Sequence, residues 1–260
     1  MVIADSGNHR IIQWKIYDIE GQVVAGGNDH GDGLDQLVRP TDVLVDKETN
    51  SLIISDWGNR RVVRWSLRSG TTQGEILIDN IDCYGLAMDN KRYLYVSDGQ
   101  KHEVRRYRIG DKNGTIVAGG QGQGDGHHQL NEPTYIFVDE EQNVYVSDNE
   151  NHRVMKWTKD KKTGYVVAGG SASKVSSTQL LYPMGLFVDK SGTVYVADYG
   201  NHRVMRWPKE ADKEAVIAGG NRSGAGAHQF DCPIGLSFDQ QGNLYVVDNE
   251  NNRVQRFIIQ

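Results

Sequence analysis

Several residue types in this sequence recur at spacings that could do chemistry. An aspartate followed five residues later by an arginine, as in Asp198 and Arg203, could form an acid-base pair. His9, His102, His152 and His202 could ligate a metal. Cys83 and Cys232, the two cysteines, could supply a thiol nucleophile. Gly31-Asp32-Gly33 and Gly124-Asp125-Gly126 look like fragments of phosphate or calcium loops. Arg39, Arg60, Arg61, Arg64, Arg68, Lys101, Arg105, Arg106 and Arg108 form the one basic concentration that could meet nucleic acid.

The elements that carry these residues decide among the chemistries. The aspartates are Asp5, Asp56, Asp98, Asp148, Asp198 and Asp248, separated by 51, 42, 50, 50 and 50 residues. A period near 50 signals a repeat architecture. Five residues after each aspartate comes Arg10, Arg61, Glu103, Arg153, Arg203 or Arg253, and four more bring Trp14, Trp65, Tyr107, Trp157, Trp207 or Phe257. Alternation in Val194-Tyr195-Val196-Ala197-Asp198 and in the run His202 to Trp207 reads as two strands. The four residues between Asp198 and Arg203 suit a hairpin, with asparagine at the third turn position (Asn8, Asn59, Asn151, Asn201, Asn251) expected to take a left-handed backbone. Asp5 with Arg10, Asp56 with Arg61, Asp148 with Arg153, Asp198 with Arg203 and Asp248 with Arg253 are therefore expected to be structural pairs flanking a turn. A pair repeated in five copies argues against catalysis, because a catalytic site is asymmetric. Glu103 opposite Asp98 breaks the rule and marks the third copy as irregular.

Composition narrows the class further. Glycine, at 30 of 260 residues, exceeds the usual ~7%, which fits many tight turns, and no helical pattern of useful length appears. The net charge of −5 disfavours a general nucleic-acid or anionic-membrane surface. No apolar run is long enough to span a membrane, and two thiols assign no compartment, so localisation stays undefined. Met1 lies one residue ahead of a strand already under way, so upstream sequence is expected.

Taken in order, each full copy has four strands, the unit of a propeller blade. Three strands at each end and four in each of four middle copies give 22, where six full blades need 24. Connections run from Gly26-Gly27, Gly119-Gly120, Gly169-Gly170 and Gly219-Gly220 to Pro40, Pro133, Pro183 and Pro233, each with a glutamine four residues before the proline. The link into the third copy is about eight residues shorter. The Gly-Asp-Gly segments fall in these connections and read as structural turns.

The string Val-x-Asp-x-x-Asn-His-Arg-Val-x-Arg-Trp, seen from Val146 to Trp157 and from Val196 to Trp207, resembles the NHL repeat of β-propellers. The resemblance covers essentially the whole chain and implies an all-β, six-bladed propeller forming one domain over residues 1–260. Propellers of this kind include substrate-binding regions of ubiquitin ligases, RNA-binding domains, receptor-kinase sensors and a zinc-dependent amidating lyase. In such propellers the residues at the starts of first strands, here Thr41, Tyr84, Thr134, Met184 and Ile234, are expected to enter the channel. The lyases similar to this chain carry zinc-binding histidines near that place, and this sequence has none there. Asp42 is the one carboxylate close to it, the four histidines are dispersed about one blade apart, and neither cysteine has a histidine partner suggested by the repeat. No metal or cofactor is therefore expected.

Recognition remains. The residue after each repeat aspartate changes from copy to copy: Ser6, Trp57, Gly99, Asn149, Tyr199 and Asn249. Trp57 and Tyr199, with Tyr84, Tyr135, Tyr182, Thr41, Thr134 and Met184 near the channel mouth, are the expected contact residues for a protein or peptide. A propeller hydrolase or lyase and an RNA-binding domain are the alternatives.

Overall fold

Alternating β-branched and aromatic residues on either side of each repeat aspartate produce an antiparallel hairpin, and six such hairpins anchor six sheets. The computed structural model describes residues 1–15, 18–170, 179–209, 213–220 and 222–259. The chain divides into two compact units, Met1–Ile116 and Val117–Gln260.

In the first unit, β1 (Val2–Asp5), β2 (Arg10–Gln13) and β3 (Gln22–Gly26) form a three-stranded sheet. Four strands follow, β4 (Pro40–Asp46), β5 (Ser51–Asp56), β6 (Arg61–Ser66) and β7 (Glu75–Ile78). The third sheet comprises β8 (Cys83–Met88), β9 (Tyr93–Asp98), β10 (Glu103–Arg108) and β11 (Thr115–Gly119), the strand in which the unit boundary falls.

The second unit continues with β12 (Pro133–Val138), β13 (Val144–Asp148), β14 (Arg153–Trp157) and β15 (Tyr165–Gly169). Its next sheet is β16 (Pro183–Val188), β17 (Val194–Asp198), β18 (Arg203–Trp207) and β19 (Ala215–Gly219). The last, β20 (Pro233–Phe238), β21 (Asn243–Asp248) and β22 (Arg253–Ile258), has three strands. These are the blades of a six-bladed β-propeller, and the 22 strands among the described residues fall as the repeat predicts.

Within each unit the core lies between consecutive blades, so the strands bury both faces. Ile11, Leu37, Leu52, Ile54 and Trp65 fill one such layer of the first unit, and Ile53, Ile78, Cys83, Leu94 and Val96 fill the next. In the second unit Tyr145, Val154, Leu180, Val194 and Val196 form one layer, and Val204, Phe230, Leu244 and Val246 another. Leu37, Leu180 and Phe230, three residues before their prolines, are wholly buried plugs at these junctions. Each presses on the first glycine of the preceding double-glycine pair. A Cβ on Gly219, where φ is +72°, would come within 2.5 Å of the Phe230 ring and 2.6 Å of the His202 carbonyl oxygen. Only glycine fits that backbone and that contact.

A second aspartate, at or just beyond the end of each full first strand, organises the opposite turn. Asp139 Oδ1 accepts the Glu141 and Asn143 N–H groups, and Asp189 and Asp239 repeat the arrangement with Ser191 and Thr193 and with Gln241 and Asn243. This is the turn that Asp side chains form with their own backbone two residues on.

Candidate functional site

The repeat aspartate ends the second strand of its blade and starts a three-residue 3-10 turn in all but the third copy. The left-handed residue is the one after that turn: His9, Arg60, His152, His202 and Asn252, with φ between 49° and 56°. The sequence pattern puts it one residue earlier, at the asparagine. That asparagine is instead inside the turn, and its side chain does a different job.

In the second unit Asp148 Oδ1 accepts the Asn131 N–H at 2.7 Å, while Oδ2 accepts Asn151 Nδ2 at 2.9 Å and Arg153 Nε at 2.6 Å. Arg153 then donates to the carbonyls of Asp125 (2.7 Å) and Gly126 (3.2 Å), and Asn151 Nδ2 to that of Gly124 (2.8 Å). Asp198 with Arg203 and Asp248 with Arg253 hold their own connections in the same manner, through the carbonyls of Gln179 and of Ala225 and Gly226. In the first unit Asp56 and Arg61 grip Val38, Asp32, Gly33 and Gln36. The arginine is thus a clamp on the connection entering its blade, a larger task than pairing across a turn. Burial pushes the Asp148 and Asp198 carboxyls above the ordinary range, against the pull of their asparagine and arginine partners.

The clamp explains the irregular third blade. Its connection from Ile78 to Cys83 is too short to form a loop that an arginine could hold. Glu103 and Asp98 are register partners, but each has its own cation: Lys101 Nζ lies 3.4 Å from Asp98, and Arg105 Nε bonds Glu103. The like charges expected to face one another unrelieved are each paired.

Histidine supplies a latch to the following blade. His9 Nδ1 accepts the Arg39 N–H at 3.1 Å, His152 Nδ1 that of Tyr182 at 3.2 Å, and His202 Nδ1 that of Cys232 at 3.2 Å. Each donor belongs to the residue before the proline that opens the next first strand. These residues adopt left-handed φ of 48°, 54° and 54°. They present Arg39, Tyr182 and Cys232 beside the turns, a set of positions that sequence reasoning found only at Tyr182. The proline that follows each was the available signal.

The expected contact residues distribute as follows. In the first unit Trp57 is half-buried with the Arg39 guanidinium 6.0 Å from its ring centroid. Thr41 Oγ1 donates to the Tyr84 carbonyl at 2.7 Å, which joins β4 to β8. Asp42, next to it, accepts the Val43 and Leu86 N–H groups, and burial pushes its pKa up to about 6. In the second unit Thr134 and Met184 are buried, each 8% exposed. Thr134 Oγ1 donates to the Pro183 carbonyl, and the Met184 sulfur accepts Asn149 Nδ2 at 3.3 Å. Tyr135 is half-buried in β12. Tyr182 is exposed and packs edge-on against His152, with ring centroids 4.7 Å apart. Tyr199 is half-buried, and its hydroxyl is pushed up to about 12, first by its hydrogen bond with the Cys232 side chain.

The cysteines also divide. Cys83 is buried, donates to the Arg61 carbonyl, and burial pushes its thiol up to about 12. Cys232 does have a histidine beside it, His202 of the preceding blade, contrary to the sequence expectation. The repeat spacing hid this partner because the two side chains meet across a blade junction.

The basic concentration in blades two and three is largely engaged. Arg61, Arg64 and Arg105 pair with Asp56, Glu75 and Glu103, and the guanidinium groups of Arg106 and Arg108 lie over the Tyr93 ring. At the end of the second blade away from the turns, Thr49, Ser51, Arg64, Arg68 and Glu75 line an open cavity of about 440 Å³.

These features define a β-propeller whose aspartate, asparagine, arginine and histidine build blade junctions. The NHL repeat family model matches residues 180–206 and 230–257, which is consistent with a propeller built from NHL repeats. Comparison with curated proteins gave no match. Among solved structures, an auxiliary nutrient binding protein from Bacteroides thetaiotaomicron is similar over 96% of this chain, with 19% identity and a TM-score of 0.72. This chain spans 64% of that protein's length. A chain of the nidogen/laminin complex is similar over 99% of this chain and 88% of its own length, at 17% identity and a TM-score of 0.74. A gluconolactonase from Xanthomonas campestris is similar over 85% of this chain and 76% of its own, at 17% identity and a TM-score of 0.63. At such identities the likeness is one of fold.

Proposed function

We propose that this chain is a non-enzymatic recognition and scaffold module that binds a protein or peptide through the face carrying the strand-turn loops. One observation carries the reading. A repeated frame of clamps and latches holds the backbone alike in successive blades while the side chains it presents change at two stations, after the aspartate and before the proline. Trp57 with Arg39 in the first unit, and Tyr182 with Tyr199 in the second, are the large, partly accessible groups at those stations. Aromatic residues and arginine are the usual anchors of binding hot spots. Two of the structural neighbours are named for a nutrient they bind or a complex they form, which agrees with a binding class.

The protein or peptide reading is preferred to RNA because Arg61, Arg64, Arg105, Arg106 and Arg108 already have carboxylate or aromatic partners. A peptide-display selection against the wild-type chain tests it. Selected peptides should lose about tenfold or more in affinity for Trp57→Ala or Tyr199→Ala, the scale of a hot-spot truncation. Peptides that bind both variants as tightly as wild type would place recognition elsewhere.

A further inference from the structure

The junction between the fifth and sixth blades, both in the second unit, differs from its siblings in what surrounds the latch histidine. At the His9 junction the two residues before the proline are Val38 and Arg39, and at the His152 junction they are Leu181 and Tyr182. At the His202 junction they are Asp231 and Cys232. The backbone frame is the same in all three: an amide donating to imidazole Nδ1 at 3.1 to 3.2 Å, from a residue with φ of 48° to 54°. On that fixed frame an aliphatic side chain and an arginine or tyrosine are replaced by a carboxylate and a thiol, both ligands suited to zinc. One ligand atom each from His202, Asp231 and Cys232 lies within 4.8 Å of the other two, and His202 Nδ1 is 3.3 Å from Asp231 Oδ1.

We propose that His202, Asp231 and Cys232 form a binding site for a divalent transition-metal ion of the zinc class, independent of the peptide partner. A thiolate, an imidazole and a carboxylate together suit zinc or cobalt, whereas calcium and magnesium prefer oxygen alone. All three ligands are partly accessible to solvent, so an ion has a path in. Three protein ligands leave one position of a tetrahedron for water or for a donor from a bound molecule. Binding converts the Cys232 thiol to thiolate and releases its proton to solvent. The Tyr199 hydroxyl, already hydrogen-bonded to the Cys232 side chain, stands at the edge of the site. If the ion takes Nδ1, it displaces the Cys232 amide from the imidazole, a local exchange that leaves the His9 and His152 latches intact.

The test uses the full chain stripped with a chelator and titrated with Zn²⁺ by calorimetry and with Co²⁺ by absorption. One ion per chain should bind at micromolar concentration, with a thiolate-to-cobalt charge-transfer band in the near ultraviolet. Cys232→Ser should abolish the band, and Asp231→Asn should weaken binding by at least about 10- to 100-fold, the cost that even indirect disruption of a metal site carries. In amide NMR spectra the Cys232 resonance should move on zinc addition while those of Arg39 and Tyr182 stay. Circular dichroism of both variants checks folding, and Asp231→Asn stands alone should Cys232→Ser not fold. No saturable uptake by the wild type, or uptake undiminished in the folded variant, overturns the site.

Discussion

Asp42 shows how much one carboxylate depends on its surroundings. Its two oxygens accept backbone N–H groups from Val43 and Leu86, which favours the anion, yet burial outweighs them and its pKa stands near 6 against 3.8 for the ordinary side chain. The folded chain therefore holds this proton more tightly than the unfolded chain. Its stabilising contribution is fully present below 3.8 and is lost as pH rises through about 6. The unfolding free energy of wild type relative to Asp42→Asn should fall by on the order of 1–3 kcal/mol between mildly acidic and neutral pH. Urea titrations at several pH values would measure it, and a flat difference would contradict the assignment. The thiols separate at the same scale. Cys83, buried and bonded to a carbonyl, should stay silent to a thiol reagent until the chain unfolds, while the more accessible Cys232 labels in the native state.

At the scale of the element, the repeat motif is a fastening for the connection between blades. Arg153 is almost wholly buried, with Asp148 fully so, whereas the Arg253 side chain is 32% exposed. Arg153→Ala leaves a buried carboxylate and several loop carbonyls without donors, so it should cost about 3–5 kcal/mol in a urea melt. Arg253→Ala should cost clearly less, because water can reach the groups it abandons. Equal losses would mean that the clamp is not what distinguishes these sites. The plugs are open to the same kind of measurement. Phe230→Ala removes a fully buried ring pressed against Gly219 and should cost about 3–5 kcal/mol. His152→Ala strips the Tyr182 amide of its acceptor and should cost about 1–2 kcal/mol.

For the whole molecule, the propeller separates what holds it together from what it shows to others. The side chains of Trp57, Tyr182 and Tyr199 make none of the hydrogen bonds of the clamps and latches, since Tyr182 enters its latch through its backbone amide. The triple alanine variant should therefore remain folded, with a melting temperature lowered by only a few degrees (~1 kcal/mol corresponds to about 2–4 °C at this size), while losing the selected peptides. A variant that unfolds would assign those aromatic residues to the scaffold. A single-stranded oligoribonucleotide should show no salt-dependent affinity that Arg60→Ala or Arg64→Ala removes. Such a loss would instead favour the nucleic-acid reading.

Local spacing alone determined the repeat, the strand pattern and the number of blades, because alternation and turn chemistry act over a few residues and leave a periodic trace. The partners of the motif residues were decided by tertiary structure. Each latch joins a histidine to an amide 30 residues further on, and the clamps of Arg61, Arg153 and Arg253 reach back 24 to 29 residues into the preceding connections, farther than alternation or turn chemistry acts. The aspartate and arginine were legible in the sequence, but their task was not. The same distance concealed His202 from Cys232: only the packing of the sixth blade on the fifth brings an imidazole, a carboxylate and a thiol within reach of one ion.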